Sequence, residues 1–220
     1  MSTLTIETLG AAIKTGDFDA VASLVEEAPS LLRERTAEGA TPIILALYMQ
    51  QSHLMPILLA HATDIDVFEA AGVGREVRLA ELLNADASLA LAYAPDGFTA
   101  LHLAAFFGSD AAANVLLEHG ADPNASARNA GKVQPLHSAA AGRHLAIAGA
   151  LIAAGANVNA QQHGGYTPLH AAAQHGDRAF VDLLLASGAY LALRTDDGKS
   201  ASDFSMDAGH AAIAELLRPR

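Results

Sequence analysis

One short pattern recurs along the sequence and limits what the chain can fold into. Thr99-Ala100-Leu101-His102-Leu103-Ala104-Ala105, Gln134-Pro135-Leu136-His137-Ser138-Ala139-Ala140 and Thr167-Pro168-Leu169-His170-Ala171-Ala172-Ala173 are close copies. Thr41-Pro42-Ile43-Ile44-Leu45-Ala46 is a looser one. The close copies begin 35 residues (99 to 134) and 33 residues (134 to 167) apart. Each leads to an apolar run: Val115-Leu116-Leu117, Leu151-Ile152 and Leu183-Leu184-Leu185. Each run then reaches a Gly-Ala step, at Gly120, Gly155 and Gly188. Self-similarity at this period marks a chain of supersecondary units, each burying its apolar face only against its neighbours.

Each part of the unit has a physical reading. Thr at the start is an N-cap, and the Pro after it is an N1 residue whose missing N–H costs nothing there. Leu at helical spacing fills the gap between two helix layers. The Gly of the Gly-Ala step stands where a helix ends at positive φ. Asp96-Gly97, Gly164-Gly165 and Asp197-Gly198 read as tight turns. Ala accounts for 50 of 220 residues and aromatics for only 5%. That excess fits short helices in close contact, with Ala104-Ala105, Ala139-Ala140 and Ala172-Ala173 at the contacts.

These residues together resemble the ankyrin repeat, strongly from about residue 95 to 220 and loosely before that. The resemblance implies an all-α fold: a solenoid of about seven stacked helix-turn-helix units with β-hairpin or loop fingers. The units are expected at 1–40 (an N-terminal cap), 41–64, 65–98, 99–133, 134–166, 167–199 and 200–220 (a C-terminal cap), all in a single domain. It also implies a right-handed stack. Terminal units must present a polar outer face. Lys14, Asp17, Asp19, Glu26 and Glu27 suit that role at one end, and Asp207, Glu215, Arg218 and Arg220 at the other. The second unit has no full finger near Ala62 to Asp64, which predicts a bend or cleft between units two and three.

Little in the sequence points to chemistry. With no Cys there is no disulfide, thiolate zinc site, iron–sulfur cluster or Cys nucleophile. Thirteen Lys and Arg against 24 Asp and Glu give −11, the wrong sign for a nucleic-acid binder. No apolar run approaches the roughly 18 residues that span a bilayer. Met1 to Glu7 lacks a basic region and a long apolar stretch, so no secretory signal is read and the expected compartment is the cytoplasm. His102, His137 and His170 hold one repeat position, on helices about 8–10 Å apart, too far to share an ion. They are expected instead to hydrogen-bond within the turn and between units, as in the family. His170 and His175 miss the four-residue spacing of a helical metal pair. Gly72-Val73-Gly74 lacks the third glycine of a dinucleotide fingerprint, and Asn124-Ala125-Ser126 is a glycosylation sequon without a secretory context. No Gly-x-Ser-x-Gly, Walker A or kinase set occurs. The expectation is no enzyme, no cofactor and no metal.

The resemblance also implies where a partner would dock: a concave face made of finger tips and the exposed side of each first helix. By position, the tips carry Ala40, Phe98, Val133, Tyr166 and Lys199. The inner helices present Tyr48-Met49, Gly72-Val73, Phe106-Phe107, Ala141-Gly142 and Gln174-His175. Five of the 11 aromatics fall here, and binding hot spots favour aromatics and Arg. The expected partner is another protein, held at Phe98, Phe106, Phe107 and Tyr166 with Tyr48, Met49 and Gln174 alongside. Arg128, Lys132, Arg143, His163 and His175 would form the polar rim. Lys132-Val133 sits in the longer finger, which a partner could use or which could be a neutral insertion. Thr99, His102, His137, Thr167, Pro168 and His170 are read as structural. Two other readings stand beside this one: a regulator or tether of an enzyme, and a small-molecule site at His163 and His175.

Overall fold

The computed structural model describes residues 4–218. Helices come in pairs: α1 Ile6–Thr15 and α2 Phe18–Glu27, α3 Pro42–Tyr48 and α4 Met55–His61, α5 Val67–Gly72 and α6 Glu76–Ala85, α7 Ala100–Phe107 and α8 Asp110–Glu118, α9 Pro135–Gly142 and α10 Leu145–Ala153, α11 Pro168–Gln174 and α12 Arg178–Ala186, α13 Ala201–Asp207 and α14 Ala211–Leu216. The odd-numbered helices touch in series and form an inner layer; most even-numbered ones stack behind them. The expected all-α repeat solenoid is the observed architecture.

Local rules start and stop these helices. Thr41, Thr99 and Ser200 accept a hydrogen bond from the N–H three residues on, as N-caps do. Pro42, Pro135 and Pro168 open α3, α9 and α11. Gly120, Gly155 and Gly188 stand at φ 83°, 93° and 89°, a left-handed turn that ends α8, α10 and α12 without a Cβ clash. The Ala pairs of α7, α9 and α11 are almost completely buried, so these backbones meet with little between them. Leu116, Leu151 and Leu184 are fully buried between the layers, each contributing roughly 1.5–3 kcal/mol of hydrophobic free energy.

The buried residues fall into two cores. One runs from Val67 to Leu217 through α5–α14. The other joins α1–α4 and takes in Leu103 from α7, with Phe107 of the same helix packed against it. Between them the outer layer is thin, because α4 and α6 barely touch. A cleft of about 400 Å³ lies there, walled by Leu32, Arg35, Asp66, Glu69, Arg78 and Leu89. Arg35 pairs with Asp66 at 3.0 Å, and Arg78 pairs with Asp64. The chain passes from α4 to α5 through Ala62–Asp66 with no finger, and that missing length opens the cleft.

Elsewhere the fingers are loops. No strand occurs among the described residues, only isolated antiparallel bridges at Tyr93–Thr99 and Arg194–Ser200. Neighbouring fingers are tied tip to tip. Arg128 N–H donates to Gly97 O at 2.8 Å, His163 N–H to Gly131 O at 2.9 Å and Asp196 N–H to Gly164 O at 2.9 Å.

Candidate functional site

At the third position of α7, α9 and α11 stands a His whose Nδ1 faces the N-cap of its own helix. His102 Nδ1 accepts from the Thr99 N–H at 3.2 Å and its Nε2 donates to Val133 O at 2.9 Å. His137 Nδ1 accepts from Gln134 N–H at 3.3 Å, and its Nε2 faces Ala160 O and Tyr166 O at 3.0 and 3.2 Å. His170 Nδ1 accepts from Thr167 N–H at 3.1 Å, but its Nε2 has no partner. Burial pushes all three imidazoles down, His137 to about 4. His102 and His137 are neutral struts that hold the next finger over the helix, while His170 bonds only its own N-cap. Among the described residues no three His, Asp or Glu are grouped so as to hold a metal ion.

His102 and His137 stand in the wall of a groove of about 840 Å³ on the side of the odd-numbered helices and the fingers. Unit two supplies Leu47, Tyr48, Gln51 and Met55; unit four supplies Leu103, Phe106, Phe107 and Val133; unit five supplies Ser138, Gly142 and His144. Unit three contributes only its last residue, Phe98, and neither of its helices α5 and α6 lines the groove. The reason is local. In units two, four, five, six and seven a left-handed residue follows the N-cap by nine positions: Thr41 to Gln50, Thr99 to Gly108, Gln134 to Arg143, Thr167 to Gly176 and Ser200 to Gly209. In unit three the interval is eight, Asp66 to Gly74, so α5 is shorter. Its last residue, Gly72, has no side chain. A Cβ there would stand 2.8 Å from Leu47 Cδ1 and 3.6 Å from Phe107 Cδ2. Units two and four therefore lean together over a recessed unit three.

Ring contacts set the shape of the groove. Tyr48 lies 5.7 Å from Phe107, and Phe106 meets Phe107 edge-on at 5.2 Å. The Tyr48 hydroxyl donates to Asp96 Oδ2 at 2.7 Å, joining α3 to the finger of the next core. Burial, reinforced by that carboxylate, holds the Tyr48 hydroxyl far above the ordinary phenol range. Phe106 is 42% exposed, while Phe107 is half-buried against the N-terminal core.

The structure thus brings Tyr48, Phe98, Phe106 and Phe107 into one groove. Val133, Ala141 and Gly142 line it too, as do His102 and His137, and the remaining sequence-selected residues lie outside it. Tyr166 packs on Phe204 at 5.5 Å, further along the stack. The Arg128 guanidinium lies 3.8 Å over the Tyr93 ring. Arg143 sits at φ 62° at the end of α9, with Nε 3.6 Å from Asp177 Oδ2. Lys132, at φ 50°, is exposed in its finger. Met49, His163, Gln174 and His175 are exposed but do not line the groove. The finger tips themselves are the turns before Phe98 and Tyr166, so these rings sit one step inside.

Sequence reasoning missed His144, Gln51, Met55 and Ser138. His144 covers two close approaches at once. A Cβ on Gly108 or on Gly142 would come within 2.4 or 2.5 Å of its ring, and its Nε2 donates to Phe106 O at 3.1 Å. Two glycines one unit apart were the only signal for it.

Residues 96–128 match a family model described as Ankyrin repeat, and residues 136–185 match one described as Ankyrin repeats (many copies). No curated protein matches the chain. No helix among the described residues is long and apolar enough to cross a membrane.

Proposed function

The chain belongs to the ankyrin-repeat family, and from that premise we propose that it is a non-enzymatic scaffold that holds another protein on its concave face, centred on the groove between units two and five. Repeats of this family are generally protein–protein interaction modules. The observation that supports the groove in particular is its make-up. Four aromatic rings, a third or more of all those in the chain, converge on one concavity of about 840 Å³. Aromatic anchors in a pre-formed pocket are what hot spots are built from. A stack whose fingers and helices are already bonded to one another loses little conformational entropy on binding.

Phe106→Ala separates this role from a structural one, because Phe106 is part-exposed and its loss should leave the fold intact. Affinity purification with the native chain and with this variant, followed by mass spectrometry, should give a protein captured by the first and lost from the second. Circular dichroism and melting should be alike for the two. A set of captured proteins indifferent to the substitution would refute the groove as the docking centre.

A further inference from the structure

We propose that the groove takes a segment of the partner whose large apolar side chains are flanked by aspartate or glutamate. This rests on the concave-face reading above and adds the chemistry of what docks. The groove floor carries no charged residue of either sign. Its size suits one or two aromatic or long aliphatic side chains.

One polar group on the floor is unpartnered. Ser138 is only 5% exposed and lines the groove, and its hydroxyl makes no hydrogen bond within the described residues. The same repeat position holds Leu103 in unit four and Ala171 in unit six. That hydroxyl opens onto the cavity, where a ligand that brings an acceptor would take the place of water. A peptide carbonyl or a carboxylate oxygen would serve.

The rim supplies the charge argument. Lys132 is adjacent to Val133 on the finger wall, is exposed and has no ion pair among the described residues. Arg128, in the same finger, has no carboxylate partner among them either, and rests on Tyr93. Arg143 is adjacent to Gly142 on the helix wall and meets Asp177 only at 3.6 Å, with its side chain 58% exposed. Two carboxylates stand nearby: Asp96 accepts from the Tyr48 hydroxyl and the Phe98 N–H, and Asp177 from the Phe180 N–H. The chain has 24 acidic residues against 13 basic ones, whereas here Arg128, Lys132 and Arg143 outnumber Asp96 and Asp177. Net charge acts weakly beyond a Debye length of about 8 Å. At contact the rim decides, and a basic segment would leave Lys132 and Arg143 facing like charge.

The test is to pan a phage-displayed library of random peptides, about twelve residues long, against the full chain. The expected result is enrichment of peptides that pair Phe, Leu, Ile or Trp with neighbouring Asp or Glu. Their binding should drop about tenfold or more in Phe106→Ala and about tenfold in a Lys132→Glu, Arg143→Glu double variant, and should weaken as salt rises. All the changed side chains are exposed or part-exposed, and circular dichroism checks that each variant folds. Peptides that need Phe106 but carry basic or uncharged flanks would overturn the acidic-partner inference and leave the concave-face reading standing. Peptides indifferent to Phe106→Ala, or no enrichment at all, would overturn both.

Discussion

His137 shows how one side chain can serve the stack and expose it to acid. Its Nδ1 must accept and its Nε2 must donate, which only the neutral ring does. Its folded pKa is about 4 against an ordinary 6.5. The unfolded chain therefore binds the extra proton between those values. Stability is full above pH 6.5 and falls as pH drops towards 4, by about 3 kcal/mol for this group. His102 and His170 shift in the same direction. Urea titrations at pH 7.5 and 5.0 should show the loss, and His137→Gln should flatten it. An unchanged pH dependence in that variant would mean other groups titrate. The adjacent phenylalanines divide in another way. Phe107→Ala should cost about 2 kcal/mol or more, since the ring packs on the N-terminal core. Phe106→Ala should cost well under half of that, and paired thermal melts would reveal the contrast.

Helix ends carry the next level of argument. Five of the inner helices close on a left-handed residue nine positions after the N-cap, but only three of these residues are Gly; Gln50 and Arg143 occupy the other two. A non-Gly residue there costs roughly 1–2 kcal/mol, part of which Gly returns as unfolded-state entropy. Gln50→Gly should thus raise stability by about 0.5–1 kcal/mol, read as a shift in the denaturant midpoint. Gly108→Ala tests the converse. It places a side chain at φ 80° and within 2.4 Å of the His144 ring, so a loss of about 2 kcal/mol or more is expected. A neutral Gly108→Ala would mean that His144 moves aside freely. The Thr-Pro-Leu-His pattern announced these starts and stops because each is a matter of bonding within a few residues. The short α5 was not legible, since unit three lacks that pattern and its deleted residue shows only once the N-caps are aligned in space.

In the whole molecule two cores share one continuous inner layer but a broken outer one. A repeat stack is stabilised by nearest-neighbour interfaces, so the weakest interface sets where it opens. Native-state hydrogen exchange should show α1–α4 opening at a lower free energy than α7–α12, with the change falling across residues 62–66. Uniform protection through that segment would contradict it. The groove straddles the same joint, Tyr48 on one side and Phe107 on the other. A bound partner should thus slow exchange in α1–α4 as well as in the groove.

By itself the sequence determined the repeat, its period, the helix caps and the small-residue contacts, and it marked the positions where His102 and His137 bond the next unit. All of these follow from interactions inside one unit or between one unit and the next. It also marked Tyr48, Phe98, Phe106 and Phe107 as one surface. Tertiary structure alone decided that these four close into a groove while Tyr166 packs elsewhere, that His144 and Ser138 belong to it, and that unit three is recessed beneath it. The physical reason is that a cavity depends on what is missing between elements far apart in the chain. Gly72 and a helix one residue short leave a space, and no local pattern records a space.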